Sequence, residues 1–320
     1  MWKTIFKRFL VMIPQLFVLS ILIFLLAQFM PGDPFTGLIT PETDPAVIER
    51  LREEAGLNDP WPVQYVHWLE NAFQGDFGKS YTFKIPVAKL IGQRAGNTII
   101  LSFFSLILSY LIALPLGMLA GRYHNSFLDK TITTYSYLSF AVPTFVLALL
   151  VLWFFGYILE WFPTSGSVDV QLRSGSLSYV LNRLYHLILP AITYALLATT
   201  STIQYLRSEV IDAKTQDYVK TAKSKGVPEK IVFNRHIFRN SALPIASTMG
   251  YQITGLIGGS IFIEQIFAYP GMGQLFISSI QSRDYSVITA LVLLFGIATL
   301  VGTLLSDIIM SMVDPRIRIQ

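Results

Sequence analysis

The chain contains 320 residues, of which 52% are hydrophobic and 14% are charged, with a net charge of +4. A soluble globular domain carries roughly 25% charged residues, so this composition excludes an ordinary soluble globule. The chain has no cysteine, which excludes disulfides and thiolate metal sites, and its four histidines are scattered singly, so no metal centre is predicted.

Six apolar blocks are about as long as the ~20 residues that a helix needs to cross a bilayer core. They cover residues 9–30, 98–120, 136–159, 187–206, 243–263 and 287–313. The first block ends in Pro31-Gly32-Asp33-Pro34 and lacks a small-residue cleavage site, so we expect an uncleaved span rather than a signal peptide. The predicted fold is an all-α polytopic membrane protein with six transmembrane helices.

These spans divide the chain into parts that differ in charge. The parts are an N-terminus with the first helix (1–30), an extracytoplasmic insertion (31–97), a five-helix core (98–313) with a cytoplasmic loop at 207–242, and a cytoplasmic tail (314–320). With the N-terminus inside, the inner segments hold 15 Lys and Arg residues and the outer segments hold 9. The positive-inside rule therefore predicts a multi-pass protein of the cell (plasma or inner) membrane with both termini cytoplasmic.

The insertion at 31–97 is hydrophilic, with nine acidic and six basic residues. Proline at 45 and at 62, each followed by apolar residues at helical spacing, predicts the starts of two helices, and we expect Asp44 to cap the first helix and Gly56 to end it. We expect a small folded cap. It either packs over the spans or contacts a partner that delivers a substrate, and the sequence leaves both alternatives open.

Small residues recur at intervals of four in two predicted spans: Ala113, Gly117 and Gly121, and Gly255 with Gly259. Such spacing lets helices approach closely in lipid, so ordinary helix packing explains both series. The alternative for residues 250–260 is a translocation pathway with polar groups at membrane depth. The candidate pathway residues are Gln252, Thr254, Gly255, Gly259 and Ser260.

Asp307 is the ionisable residue inside the last apolar block. An acid at membrane depth is a candidate for a functional role. The alternative is an ion pair at the interface with Arg316 or with a loop lysine.

The loop at 207–242 has eight basic and four acidic residues. Asp217 is expected to cap a helix over residues 218–225, Gly226 to supply the left-handed residue that ends it, and Pro228 to start the next helix. The pattern predicts a rigid elbow between two short helices. Composition alone favours the alternative, a solvated basic loop on the cytoplasmic side.

Sequence motifs favour the elbow. Lys220-Thr221-Ala222 followed by Gly226, and later Ala242-Leu243-Pro244, resembles the cytoplasmic signature of the permeases of ABC importers. The run of residues 216–226 is similar to the version found in the dipeptide and oligopeptide group. Further matches to that group cover nearly the whole chain: Gly75 to Ser80, His186 to Ala191, Pro270 to Gly273, Arg283 to Tyr285, and Asp314 to Arg318. Two departures from the general signature are Lys220 in place of glutamate and Thr221 in place of alanine.

The resemblance implies a type I ABC importer permease that takes up oligopeptides and forms half of a translocation pathway. Implied partners are a homologous second permease, two cytoplasmic ATPases that bind ATP and Mg²⁺, an extracytoplasmic peptide-binding protein and membrane lipid, but no nucleic acid. No cofactor and no catalytic residue is expected in this chain. The implied ATPase-coupling residues are Asp217, Tyr218, Thr221, Ala222, Lys223, Lys225, Gly226 and Val227.

The alternatives are other substrates for the same machinery and two other classes of membrane protein. The same machinery imports dipeptides, nickel complexes, glutathione or signalling peptides in related systems. An intramembrane enzyme would need a nucleophile and base or an H-E-x-x-H motif, and a stand-alone ion-coupled carrier would need acids in several spans; the sequence shows neither pattern. The chain also lacks the G-x-x-x-x-G-K-[ST] phosphate loop, so any ATP hydrolysis must come from a partner.

Overall fold

The computed structural model describes residues 2–29, 45–54, 58–173, 175–242, 245, 252 and 261–313. The first half of the chain forms α1 (Trp2–Phe29), α2 (Pro45–Glu54), α3 (Trp61–Phe73), α4 (Val87–Arg122), α5 (Phe127–Ala141) and α6 (Thr144–Val151), which continues as a π-helix over Leu152–Ile158. The second half forms α7 (Leu177–Thr215), α8 (Asp217–Ser224), α9 (Glu229–Ile231), a π-helix over Val232–Ile237, α10 (Phe238–Ser241), α11 (Ile261–Ile266), α12 (Met272–Ser282) and α13 (Tyr285–Val313).

Within the described ranges, four helices are long and apolar enough to cross a membrane: α1, α4, α7 and α13. They contain the first, second, fourth and sixth predicted spans. Helix α4 begins at Val87, so the last part of the predicted insertion is already helical. Most of the fifth predicted block, 243–263, lies outside the described residues, and the count of six spans stays a prediction.

The third predicted span, 136–159, is wrong as a single straight helix. Helices α5 and α6 meet at an angle of 103° and together could form one broken span. The break lies at Val142 and Pro143, where Val142 is extended (φ −84°, ψ 123°). Proline disfavours the helical conformation of the residue before it and has no N–H to donate, which explains the bend. Helix α5 also starts earlier than predicted, because the Ser126 hydroxyl accepts a hydrogen bond from Asp129 N.

The most extensive packing between the described spans joins α4 to α7. A Cβ atom added at Gly117 would lie 3.0 Å from the Leu206 Cβ atom, and one added at Gly121 would lie 2.6 Å from the Val210 Cβ atom. These glycines therefore bring the two backbones together, and Ala113 is buried one turn earlier. Helix packing is the correct interpretation of this first small-residue series.

An ion pair ties α5 to α7. The Arg207 guanidinium donates from Nε to Asp129 Oδ1 at 2.6 Å and from Nη2 to Asp129 Oδ2 at 2.9 Å. The Asp129 carboxylate is buried and also accepts from Asn125 N and from the Thr133 hydroxyl. Bidentate pairing and these further donors satisfy the buried charge, which is the condition for such a pair to be stable.

A second ion pair joins the two ends of the described chain. Arg8 Nε of α1 lies 3.2 Å from Asp307 Oδ2 of α13. Arg316 lies outside the described residues, and in the part of the chain that the structure describes the basic group paired with Asp307 is Arg8 rather than a loop lysine. The predicted ion pair of Asp307 is therefore present. Its basic residue comes from the first span, because α1 and α13 pack side by side.

The insertion contains two helices, as predicted. Helix α2 begins at Pro45, and α3 begins at Trp61 with proline in its first turn. The expected cap at Asp44 and stop at Gly56 lie outside the described residues. Helix α3 packs against α1 through aromatic contacts such as Phe24 with Tyr65, whose ring centroids are 5.4 Å apart.

Gly121→Ala should lower the stability of the chain by about 1–3 kcal/mol, because the new methyl group would push α7 away from α4. Gly96→Ala is the matched control in the same helix, since a Cβ atom there meets nothing within 4 Å. That control should gain roughly 0.5–1 kcal/mol from helix propensity. Thermal unfolding of both variants in detergent measures the difference, and shifts of the same sign would contradict the packing.

Asp129→Asn should destabilise the chain by about 1–3 kcal/mol, because the half-buried Arg207 guanidinium would lose its charged acceptors. Lys220→Gln breaks the exposed ion pair between Lys220 and Asp217 and should leave the unfolding midpoint unchanged. The same thermal measurement tests both variants. Equal effects would show that the Asp129 pair contributes no more than a solvent-exposed pair.

Candidate functional site

The elbow at 217–228 starts with helix α8. Its N-cap is Gln216, which is extended (φ −70°, ψ 150°), and no side chain caps the helix. The expected capping by Asp217 is therefore wrong by one position. Asp217 is the first helical residue, and its carboxylate accepts a hydrogen bond from Lys220 Nζ at 3.0 Å.

The end of α8 confirms the predicted glycine stop. Gly226 has φ +74°, the left-handed conformation that glycine adopts without strain. Its N–H donates to Lys223 O at 2.9 Å, and the next N–H, from Val227, donates to Ala222 O at 3.2 Å. These two bonds form a Schellman motif. Pro228 then precedes α9 as its N-cap, so two successive turns have fixed backbone geometry.

The inner face of α8 is buried. Val219 is 1% exposed and Ala222 is 7% exposed. Both belong to one apolar cluster that draws on α7, the π-helix at 232–237 and residue 245: Leu206, Val210, Ala213, Val219, Ala222, Val232, Phe233, Ile237 and Ile245. Tyr110, Leu114 and Met118 of α4 pack against this cluster. The elbow therefore packs directly against two spans, α4 and α7.

Polar contacts fasten the same unit to the end of α4. Lys214 Nζ donates to Arg122 O at 2.8 Å and to Gly121 O at 3.3 Å, so its ammonium group caps the C-terminal carbonyls of α4. The Arg122 guanidinium in turn lies 4.8 Å from the centre of the Phe233 ring. Lys214 lies three residues before Asp217, the first residue of α8, so its bonds join the chain just ahead of the elbow to the end of α4.

The outer face of the elbow carries most of the predicted coupling residues. Six of the eight are exposed: Asp217, Tyr218, Thr221, Lys223, Lys225 and Gly226. Ala222 is buried and Val227 is half-buried, so these two seat the elbow and do not present a surface. Lys220 was left out of the predicted set but lies exposed on the same face, which makes that face basic.

Tyr218 lies at the edge of this face. Partial burial raises the pKa of its phenol, and a hydrogen bond with the Asn240 side chain acts in the opposite direction. Tyr218 therefore lies close to Asn240 of α10, the last described helix of the loop.

The predicted pathway residues are mostly outside the described part of the chain. Gln252 is described, and its side-chain oxygen accepts a hydrogen bond from the Tyr110 hydroxyl of α4 at 2.6 Å. This contact places a polar group against the second span. Thr254, Gly255, Gly259 and Ser260 lie outside the described residues, and their pathway role stays a prediction.

The sequence interpretation missed a buried acid at the far end of the spans. Glu264 is fully buried; its carboxylate accepts hydrogen bonds from the Thr98 hydroxyl at 2.7 Å, Gly273 N at 2.7 Å and Gln274 N at 3.1 Å. The last two donors lie in the first turn of α12. The Glu264 carboxylate therefore caps the N-terminus of that helix although it comes nine residues earlier in the chain than Gly273. The signal available in the sequence was a lone glutamate between an apolar block and the Pro270 to Gly273 motif.

A second missed contact joins two of the recognised motifs. Asp284 is fully buried, and its carboxylate accepts from the Ser80 hydroxyl at 2.5 Å and from Thr82 N at 3.1 Å. Residues 75–80 of the insertion are thus bonded to the residues that open α13. The serine of the first motif and the aspartate of the second are therefore explained by the hydrogen bond that they form between the insertion and the start of α13.

Comparison with known proteins agrees with this architecture. Residues 113–319 match the family described as "Binding-protein-dependent transport system inner membrane component", and residues 1–102 match the family described as "Binding-prot-dependent transport system membrane comp, N-term". The chain is 40% identical to the oligopeptide transport system permease protein AppB of Bacillus subtilis, over 98% of each chain. It is 34% identical to the glutathione transport system permease protein GsiC of Escherichia coli K12, over 99% of each chain. The chain therefore belongs to the family of inner membrane components of binding-protein-dependent transport systems.

Proposed function

We propose that the chain is one of two permease subunits of an ATP-driven importer of oligopeptides, equivalent to the B-type subunit of an oligopeptide permease. A homologous second permease completes the translocation pathway. Two cytoplasmic ATPases bind ATP and Mg²⁺, and an extracytoplasmic binding protein delivers the peptide. Both termini of the chain are cytoplasmic in this arrangement.

The observation that supports ATPase coupling is the packing of the elbow against α4 and α7. Its inner face is buried in a cluster shared with α4 and α7, and Lys214 is bonded to the end of α4. Its outer face is exposed and basic. We infer that this outer face docks in a groove of complementary charge on the ATPase, and that closure of the ATPases on nucleotide moves the elbow and the attached spans as a body.

The broken span and the long helices support a pathway that alternates between inward and outward access. In this proposal α4, α7 and the bent pair α5–α6 switch together, because the Asp129 and Arg207 pair joins them. The candidate pathway residues are Gln252, Thr254, Gly255, Gly259 and Ser260. Hydrogen bonding of Gln252 to Tyr110 supports a polar lining beside α4.

Oligopeptides are the favoured substrate because the identity to the oligopeptide permease AppB, 40%, exceeds the 34% identity to the glutathione permease GsiC. Glutathione is the second candidate, since it is itself a short peptide and GsiC covers the chain just as fully. Dipeptides, nickel complexes and signalling peptides are further alternatives with the same machinery. A stand-alone carrier and an intramembrane enzyme are disfavoured by membership of the transport family.

Gly226→Val should uncouple ATP hydrolysis from transport. A β-branched residue in the left-handed conformation is strained by roughly 1–2 kcal/mol or more, so the turn after α8 would change its course. Gly226→Asn is the matched control, because asparagine tolerates this conformation. In proteoliposomes with all subunits, we expect Val to lower peptide uptake per ATP several-fold and Asn to preserve it. Unchanged coupling in the Val variant would count against docking at the elbow.

Deletion of the gene should abolish growth on a tetrapeptide or pentapeptide as the source of a required amino acid, and the intact chain should restore it. The control is growth on the free amino acid, which should not change. Loss of growth on glutathione as a sulfur source, with pentapeptide use intact, would favour the second candidate. Uptake by the purified chain without ATPases would contradict the importer and favour a carrier.

A further inference from the structure

Helix α3 is amphipathic, and only part of its apolar face is covered. Gln64, Tyr65, Trp68, Leu69 and Ala72 are partly buried, which defines the face turned toward α1. On the adjacent flank, Val66 is 48% exposed and Phe73 is 84% exposed. His67 and Asn71 are exposed on a polar flank, and the exposed Glu70 lies at the boundary between that flank and Val66, which is one turn away.

The contacts of α3 with α1 fix its depth. From Arg8 to Phe29, α1 rises about 32 Å at the usual 1.5 Å per residue, close to the thickness of a bilayer core. Phe29 therefore lies near the interface opposite Arg8. Its ring is 5.9 Å from the Trp61 ring, so α3 starts at that interface.

The next contacts lie deeper along α1. Gln28 Nε2 donates to Gln64 Oε1 at 2.6 Å, the Phe24 ring lies 5.4 Å from the Tyr65 ring, and the hydroxyls of Ser20 and Tyr65 are 2.8 Å apart. Phe24 and Ser20 are about 8 Å and about 14 Å along α1 from Phe29. The aromatic side chains of α3 thus reach below the interface, and the helix lies beside the membrane-embedded part of α1.

We propose that α3 is an interfacial helix that inserts the flank formed by Val66 and Phe73 into the outer leaflet. The occupant of this flank is lipid, because α3 packs against the spanning helix α1, whose own apolar side chains are exposed at the same level: Leu26 is 58% exposed and Phe29 is 70% exposed. Tryptophan and tyrosine at the boundary and a separate polar flank are typical of helices that lie in the plane of a membrane. The insertion is therefore anchored to the bilayer at α3 and does not stand free above it.

Cysteine labelling tests this proposal directly, because the chain has no native cysteine. Val66→Cys and Phe73→Cys report on the apolar flank, and His67→Cys and Asn71→Cys are controls on the polar flank of the same helix. Each full-length variant is labelled with an environment-sensitive fluorophore and reconstituted in proteoliposomes, alone and with a cysteine-free second permease. Quenching by brominated phospholipid is compared with quenching by aqueous iodide.

The expected result is several-fold stronger lipid quenching at positions 66 and 73 than at 67 and 71, with the reverse order for iodide, in both preparations. Equal iodide quenching at all four positions would place α3 in water and overturn the proposal. Protection of 66 and 73 from both quenchers when the second permease is present would assign the flank to a protein interface and would overturn it as well. Neither result would bear on oligopeptide transport, which the growth assay tests separately.

Discussion

The close contact between α4 and α7 is the constraint on which the described structure depends. Gly117 and Gly121 leave no side chain between the α4 backbone and Leu206 and Val210. Within lipid no hydrophobic force draws helices together, so this contact rests on close packing. Helix α5 is bonded to α7 next to it, and the elbow is seated on the cluster that both spans share.

Polar bonds occur where helices end. At one end of the spans, Lys214 caps the carbonyls of α4, and Asp129 binds both Arg207 and the turn that opens α5. At the other, Glu264 caps α12 and Asp284 binds the insertion beside α13. Each bond satisfies a helix end or a buried charge in surroundings of low polarity, where an unpaired group would be costly. At the end of the spans that carries the elbow, these bonds join α4 and α5 to α7.

The outer insertion is hydrophilic on average, but one helix within it, α3, is largely apolar. Nine acidic residues against six basic ones describe a hydrophilic segment, and a cap above the membrane is the natural expectation. Helix α3 within it is apolar over much of its circumference and lies against α1. An amphipathic helix can therefore be part of the membrane layer although the segment around it is charged.

The sequence alone determined the four long spans and the left-handed turn at Gly226, because hydropathy and backbone preferences are local properties. It also indicated that Asp307 needs a basic partner. Tertiary structure decided that this partner is Arg8 and that Glu264 caps a helix nine residues away. Such contacts join groups on different helices, so they depend on how the helices pack, and no local pattern in the sequence encodes that packing.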